Sequence, residues 1–139
     1  MPVIEWRPEL EIGIFEIDLQ HRSLVSIANQ LHDAVASGKA VQTVEWILEE
    51  LLLYTKMHFQ TEEQYMRRYQ YVASAQHQAE HDEMLKALRR FKRKLKNDDD
   101  TLPEDVLDFL HDWLAQHLTG PDRALGEAYR NSARSGARA

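Results

Sequence analysis

The sequence predicts an all-α protein: a four-helix bundle with an irregular N-terminal arm and a short C-terminal helical stub. Three observations lead there. Apolar residues recur at alternating steps of three and four along four successive stretches, the period of a helix that turns one face to a core. Helix-stopping residues stand between stretches, at Ser37-Gly38, Asn97-Asp98-Asp99-Asp100 and Gly120-Pro121. All four stretches also place histidine at core positions, joined on the second by an acid.

Residues 1–17 read as an arm packed on the bundle, punctuated by Pro2, Pro8 and Gly13 and anchored by Val3, Ile4, Trp6, Ile12, Ile14 and Phe15. The bundle is expected over 18–125, with 126–139 a C-terminal stub and flexible tail. Asp18, a favoured cap residue, is expected to open the first helix, whose seam runs His21, Leu24, Ala28, Leu31, Val35. The second helix follows Thr43 and continues to about Tyr69, with seam Val44, Ile47, Leu51, Tyr54, His58, Glu62, Tyr65, Tyr69.

A third helix starts near Ser74, and its seam is His77, His81, Met84, Leu88, Phe91, Leu95. Its outer face carries Lys86, Arg89, Arg90, Lys92, Arg93, Lys94 and Lys96, which reads as a solvated surface. The acidic run at 97–100 reads as an exposed loop. Thr101-Leu102-Pro103-Glu104 combines capping-box spacing with a proline in the first turn, and the fourth seam is Val106, Leu110, Trp113, His117. Gly120-Pro121 breaks that helix, and the redirected chain swings Asp122 back toward His117.

Length and composition frame the chemistry. At 139 residues and 43% hydrophobic the chain fits one domain with its own core. No apolar run approaches the roughly 18 to 20 residues needed to span a bilayer, and the N-terminus lacks a charged region followed by an apolar one. A cytoplasmic protein, not integral to a membrane, is expected. The absence of cysteine excludes disulfides and thiolate ligands, so any metal is held by imidazole and carboxylate, a set that suits iron, manganese or zinc. A net charge of −6 argues against nucleic acid.

His58 and Glu62 are i, i+4 neighbours, as are His77 and His81, so each pair projects from one helix face toward one point. Buried ionised groups must pair, neutralise or bind metal. With His21 and His117 also inward, metal binding accounts for them together. His32 and His111 lie one residue off their seams and read as surface residues; Glu63, Glu80 and Glu83 also lie off the seam and read as solvated.

The set His21, His58 with Glu62, His77 with His81, and His117 with Asp122 resembles the hemerythrin family, in particular its single-domain bacterial members. Supporting text runs from Gly13-Ile14 and Ile17-Asp18-Leu19-Gln20-His21 to His58-Phe59, Glu62-Glu63 and Trp113-x3-His117-x4-Asp122. The resemblance covers residues 6 to about 125 and implies that the four-helix bundle is antiparallel with up-down-up-down topology. It implies two iron ions in a non-heme di-iron centre, bridged by Glu62, Asp122 and an oxo or hydroxo group. His77, His81 and His117 would then complete one iron, and His21 and His58 would serve the other, leaving one position open. Leu24, Phe59, Trp113, Leu114 and Leu118 would line that position and keep it dry.

Three classes of function fit such a site. Reversible dioxygen binding for storage or delivery is favoured over a di-iron redox enzyme, because carboxylate-rich sites serve oxidation and this one is histidine-rich. The third is an oxygen or nitric oxide sensor acting through a partner. The chain stops 17 residues after Asp122, so no signalling or catalytic domain is expected. The expected state is a monomer that is not an enzyme, with an oxygen-consuming protein as a possible recipient.

Overall fold

The computed structural model describes residues 5–96 and 102–138, and in the last two helices the side chains of 107–118 and 120–131. After a 3-10 turn at Pro8–Leu10, the helices are α1 (Phe15–Ala36), α2 (Val41–Arg68), α3 (Ser74–Lys96), α4 (Leu102–Thr119) and α5 (Pro121–Arg138). No strand occurs among the described residues. Each helix packs on the next and α1 also packs on α4, which closes a four-helix bundle. Side-chain pairings fix the directions. Glu16 meets Tyr65 and Gln20 meets Thr61, so α1 and α2 are antiparallel. Glu62 meets His77 and Glu49 pairs with Lys92, so α2 and α3 are antiparallel as well. No helix among the described residues is long and apolar enough to cross a membrane.

Short, well-satisfied turns keep the helices in register. At the end of α1 the Gly38 N–H donates to Val35 O and the Lys39 N–H to Ala34 O, a Schellman closure, with Gly38 at φ +67°. The same closure ends α2, with Gln70 N–H on Arg67 O and Tyr71 N–H on Met66 O. There Gln70 takes φ +51°, a conformation glycine adopts more cheaply.

Helix α1 begins at Phe15, three residues before the expected Asp18 start. Asp18 does not cap it. Its carboxylate instead accepts the N–H groups of Ile12 (2.8 Å) and Gly13 (3.2 Å), holding the arm against the helix. Gly13 needs its freedom here, because φ is +92° and a Cβ would strike the Arg130 guanidinium. Ile12, Ile14 and Ile17 are buried, but Phe15 is 78% exposed and anchors nothing, since the first helical turn rotates it outward. Val3 and Ile4, the loop at 97–100, Thr101, the Val106 side chain and Ala139 lie outside the described residues.

Two of the seams are rotated relative to expectation. On α2 the deepest residues are Leu48, Leu51, Thr55, His58, Phe59, Glu62 and Met66, while Ile47, Tyr54, Tyr65 and Tyr69 are only half-buried. Helix α2 touches both α1 and α3, so its buried stripe centres between the two contacts. On α1, Ala34 is buried and Val35 half-buried. The α3 seam stands in full as expected.

The C-terminal element is an 18-residue helix where a short stub with a flexible tail was expected. Proline sits at its first position, and Leu125 and Tyr129 provide an apolar stripe onto the arm. The Arg130 guanidinium donates to Ile12 O and the Arg123 guanidinium to Glu9 O. The helix approaches so closely that a Cβ on Gly126 would clash with Ile12 O.

Two apolar clusters result. The larger contains Leu24, Leu31, Leu51, Phe59, Leu88 and Leu110 among others; the smaller joins Ile12, Ile14, Ile17, Met66 and Leu125. Because the obstacle at Gly126 is backbone, Gly126→Ala is expected to cost about 1–3 kcal/mol. Gly38→Ala meets nothing within 4 Å and is expected to cost only the left-handed strain, about 1 kcal/mol. Urea denaturation of the two variants measures the difference.

Candidate metal centre

Between the two apolar clusters lies a layer of buried polar side chains. On α1 the inward order is Ile17, His21, Leu24, and on α2 it is Phe59, Glu62, Met66, so the polar residues fall where one cluster gives way to the other. His21, His58, Glu62, His77, His81, His117 and Asp122 are each at most 3% exposed. All seven residues singled out in the sequence are therefore brought together.

Glu62 sits at the centre. Its Oε1 lies 2.6 Å from His58 Nε2, 3.3 Å from His21 Nε2 and 3.5 Å from His117 Nε2. Its Oε2 lies 2.9 Å from His77 Nε2 and 2.8 Å from His81 Nε2. Asp122, delivered by the first turn of α5, spans the same divide: Oδ1 is 3.0 Å from His77 Nε2, and Oδ2 is 2.6 Å from His21 Nε2 and 2.8 Å from His117 Nε2. The donors form two overlapping groups. One comprises His21, His58, Glu62, His117 and Asp122, and the other Glu62, His77, His81, His117 and Asp122, with all donor atoms of each group within 4.8 Å of one another. Both carboxylates and His117 belong to both groups.

Glu62 is hydrogen-bonded to His21, His77 and His81, but other donors converge without satisfying one another. His58 Nε2, His117 Nε2 and both Asp122 oxygens have no hydrogen-bond partner, although nitrogen and oxygen approach within 3 Å. Buried polar atoms are paired in the great majority of cases. Atoms this close but not aligned as donor and acceptor fit side chains aimed at common points between them, as ligands of a shared ion are. The set of five imidazoles and two carboxylates is a cluster able to hold metal.

Behind the donors a few side chains fix ring orientation. His58 Nδ1–H donates to Gln20 Oε1 at 2.8 Å, and the Gln20 amide donates to Thr61 Oγ1, which donates in turn to Met57 O. His81 Nδ1 lies 3.4 Å from Glu63 Oε1. Glu63 is thus a half-buried partner, not the solvated residue expected, because its helix position flanks α3. The sequence reading did not identify Gln20, Thr61 and Glu63 as supports of the ligand rings, since the contacts that join Gln20 to His58 and Thr61 and Glu63 to His81 span 18 to 41 residues. Glu80 is half-buried as well, Glu83 is exposed, His111 is exposed, and His32 is half-buried beside Asp33.

Among the apolar residues expected near an open position, Phe59 stacks on His81 with centroids 3.7 Å apart and also approaches His58 at 5.8 Å. Trp113 stacks on His117 at 4.4 Å and is half-buried. Leu24, Leu114 and Leu118 are buried, the last two flanking His117 on α4.

Burial works against charge at His21, His77, His117, Glu62 and Asp122, yet the facing groups outweigh it. Burial lowers His21, His77 and His117, but the Asp122 and Glu62 carboxylates raise them to about 9, 10 and 9. Burial wins at His58, which is lowered. Glu62 and Asp122 are driven well below the usual carboxylate range, because the imidazoles outweigh both burial and, for Asp122, the charge of Glu62. In the metal-free chain the three raised imidazoles stabilise fully below pH 6.5 and lose that contribution as pH rises through about 9 to 10. The carboxylates contribute above their ordinary range, about 4, and lose it as pH falls. Metal-free stability is expected to peak between roughly pH 5 and 7, which denaturant titrations across pH measure. Ligands bind metal deprotonated. Loading at pH 7 is therefore expected to release protons from His21, His77 and His117, read by an indicator dye in weak buffer.

A family model described as the hemerythrin HHE cation binding domain matches residues 12–129. The bacteriohemerythrin of Clostridium acetobutylicum is 32% identical over 122 residues, covering 85% of this chain and 95% of the relative. That of Aquifex aeolicus is 33% identical over 121 residues, covering 84% and 90%. The crystal structure of a wild-type hemerythrin aligns with a TM-score of 0.83 at 28% identity, covering 90% of this chain and 96% of that one.

Proposed function

The chain belongs to the hemerythrin family, and from that premise we propose that it binds dioxygen reversibly at a non-heme di-iron centre, for oxygen storage or delivery. The observation that supports this most directly is the convergence of five imidazoles and two carboxylates into two overlapping donor groups. Glu62 and Asp122, which face both groups, would hold both ions. His77, His81 and His117 would complete one iron, and His21 and His58 the other. His117 lies near the same Asp122 oxygen as His21, and its placement with His77 and His81 follows the family pattern.

When bound, a pair of ferrous ions would supply the redox chemistry of reversible dioxygen binding. The side chains set the conditions for that exchange. Five imidazoles, neutral as ligands, against two carboxylates leave the centre net positive, which favours a ligand that arrives neutral and gains negative charge. Gln20 and Glu63 hold the rings of His58 and His81 from behind, so the donors are fixed before the ions arrive. Leu24, Phe59, Trp113, Leu114 and Leu118 exclude water, limiting the proton supply that would make oxidation irreversible. The histidine-rich set favours a binding protein over an enzyme. We further propose a cytoplasmic monomer that passes dioxygen to an oxygen-consuming recipient.

A metal count and an optical spectrum test the reading. Two irons per chain, with a visible charge-transfer band that appears in air and fades at low oxygen, is the expected result. Iron that oxidises once and stays oxidised would move the reading to a redox enzyme or sensor. Replacing Leu114 by alanine is expected to speed autoxidation on the order of tenfold, about 1.4 kcal/mol of barrier. An unchanged rate in air would remove Leu114 from the dry wall.

A further inference from the structure

We propose that the groove between α3 and α4 is the port through which divalent metal cations reach the buried donors, with Glu80 and Glu83 gathering them at its mouth. The proposal rests on the metal-binding reading above. Two adjoining hollows make up the groove. One, of about 570 Å³, has Glu80, Glu83, Trp113 and Gln116 in its walls and ends on His117. The other, of about 230 Å³, shares Gln76, Glu80 and Pro121 with the first and ends on His77.

The inner ends of the groove point to a cation. His77 and His117 are each 3% exposed, and their Nδ1 atoms have no hydrogen-bond partner. In contrast, the Nδ1 atoms of His58 and His81, which line neither hollow, are held by Gln20 and Glu63. Of the three rings whose Nδ1 has no partner, His21, His77 and His117, the two on α3 and α4 end the groove. A ring nitrogen without an internal partner is available to a cation that reaches the inner end of the groove.

Carboxylates stand at both ends of the route. Glu80 and Glu83 stand at the mouth, and Glu62 and Asp122 lie behind the two imidazoles. Such an arrangement draws cations inward and raises their local concentration. Lys86 offsets it weakly, lying 3.9 Å from Glu83 with both side chains largely in water. A neutral diatomic gas gains nothing from these carboxylates.

Metal-free protein mixed with Co(II) at low ionic strength provides the test, with uptake followed by the d–d absorption of the bound ion. The double variant Glu80→Gln/Glu83→Gln is expected to load roughly tenfold more slowly than the parent, with the gap closing in high salt. Final occupancy and helicity are expected to match the parent. A charge-matched control, Glu45→Gln/Glu50→Gln on α2 away from the groove, is expected to load at the parent rate. Parent-like loading by the Glu80/Glu83 variant, or equal slowing of the control, overturns the port. Lower final occupancy in the variant also overturns it, because the two residues would then be ligands. A parent chain that takes up no cobalt fails on the metal-binding reading itself, a result separate from any difference in rate.

Discussion

Two carboxylates held away from water are the constraint on which this bundle depends. An unpaired ion in such surroundings costs several kcal/mol even after relaxation, and Glu62 and Asp122 are both fully buried. The fold answers with imidazoles from every side: His21 from α1, His58 from α2, His77 and His81 from α3 and His117 from α4. No helix alone could surround a carboxylate in this way. The bundle geometry, with its apolar clusters above and below, holds the polar layer at one level. Protonated imidazoles and metal ions are alternative answers to the same electrostatic problem, which makes the folded chain a competitor of its own protons for metal.

Much of this arrangement was legible because helical periodicity is a local signal. Steps of three and four put His77, His81, Met84 and Leu88 on one face, and that face is buried in full. The same reasoning was less accurate on α2, where Leu48, Thr55 and Met66 replace Ile47, Tyr54 and Tyr65 at depth. One residue is 100° of rotation, and a helix gripped on two sides can settle between two adjacent stripes. Gln20 and Glu63 were illegible for a different reason. Their partners are fixed only by the packing of one helix on another, and nothing in the adjacent sequence marks a glutamine as the support of a distant imidazole. For α5, the polar composition concealed a helix whose stability comes from docking on the arm.

The outer ring nitrogens divide the site into held and unheld parts. Each donor group contains one imidazole braced from behind, His58 by Gln20 and His81 by Glu63, while His21, His77 and His117 lack a partner at Nδ1. Braced rings define where a ligand must sit; unbraced ones retain the freedom to accommodate it. Phe59 and Trp113, stacked on His81 and His117, restrict that freedom by shape instead of by hydrogen bonds. Rigidity at the site is therefore graded by side chain, and both kinds of control act within one layer of the bundle.

The clamp between α5 and the arm sets an order of assembly. Asp122 occupies the first turn of a helix whose position is held by Ile12, Glu9 and Gly126, so residues near the two ends of the matched region must meet before the seventh donor is in place. On a chain emerging from the ribosome, the arm and the helices bearing the five imidazoles appear first and their clamp appears last. Until then Glu62 faces the imidazoles without its second carboxylate. A nascent chain can thus gather six donors before α5 brings the seventh and seals the layer.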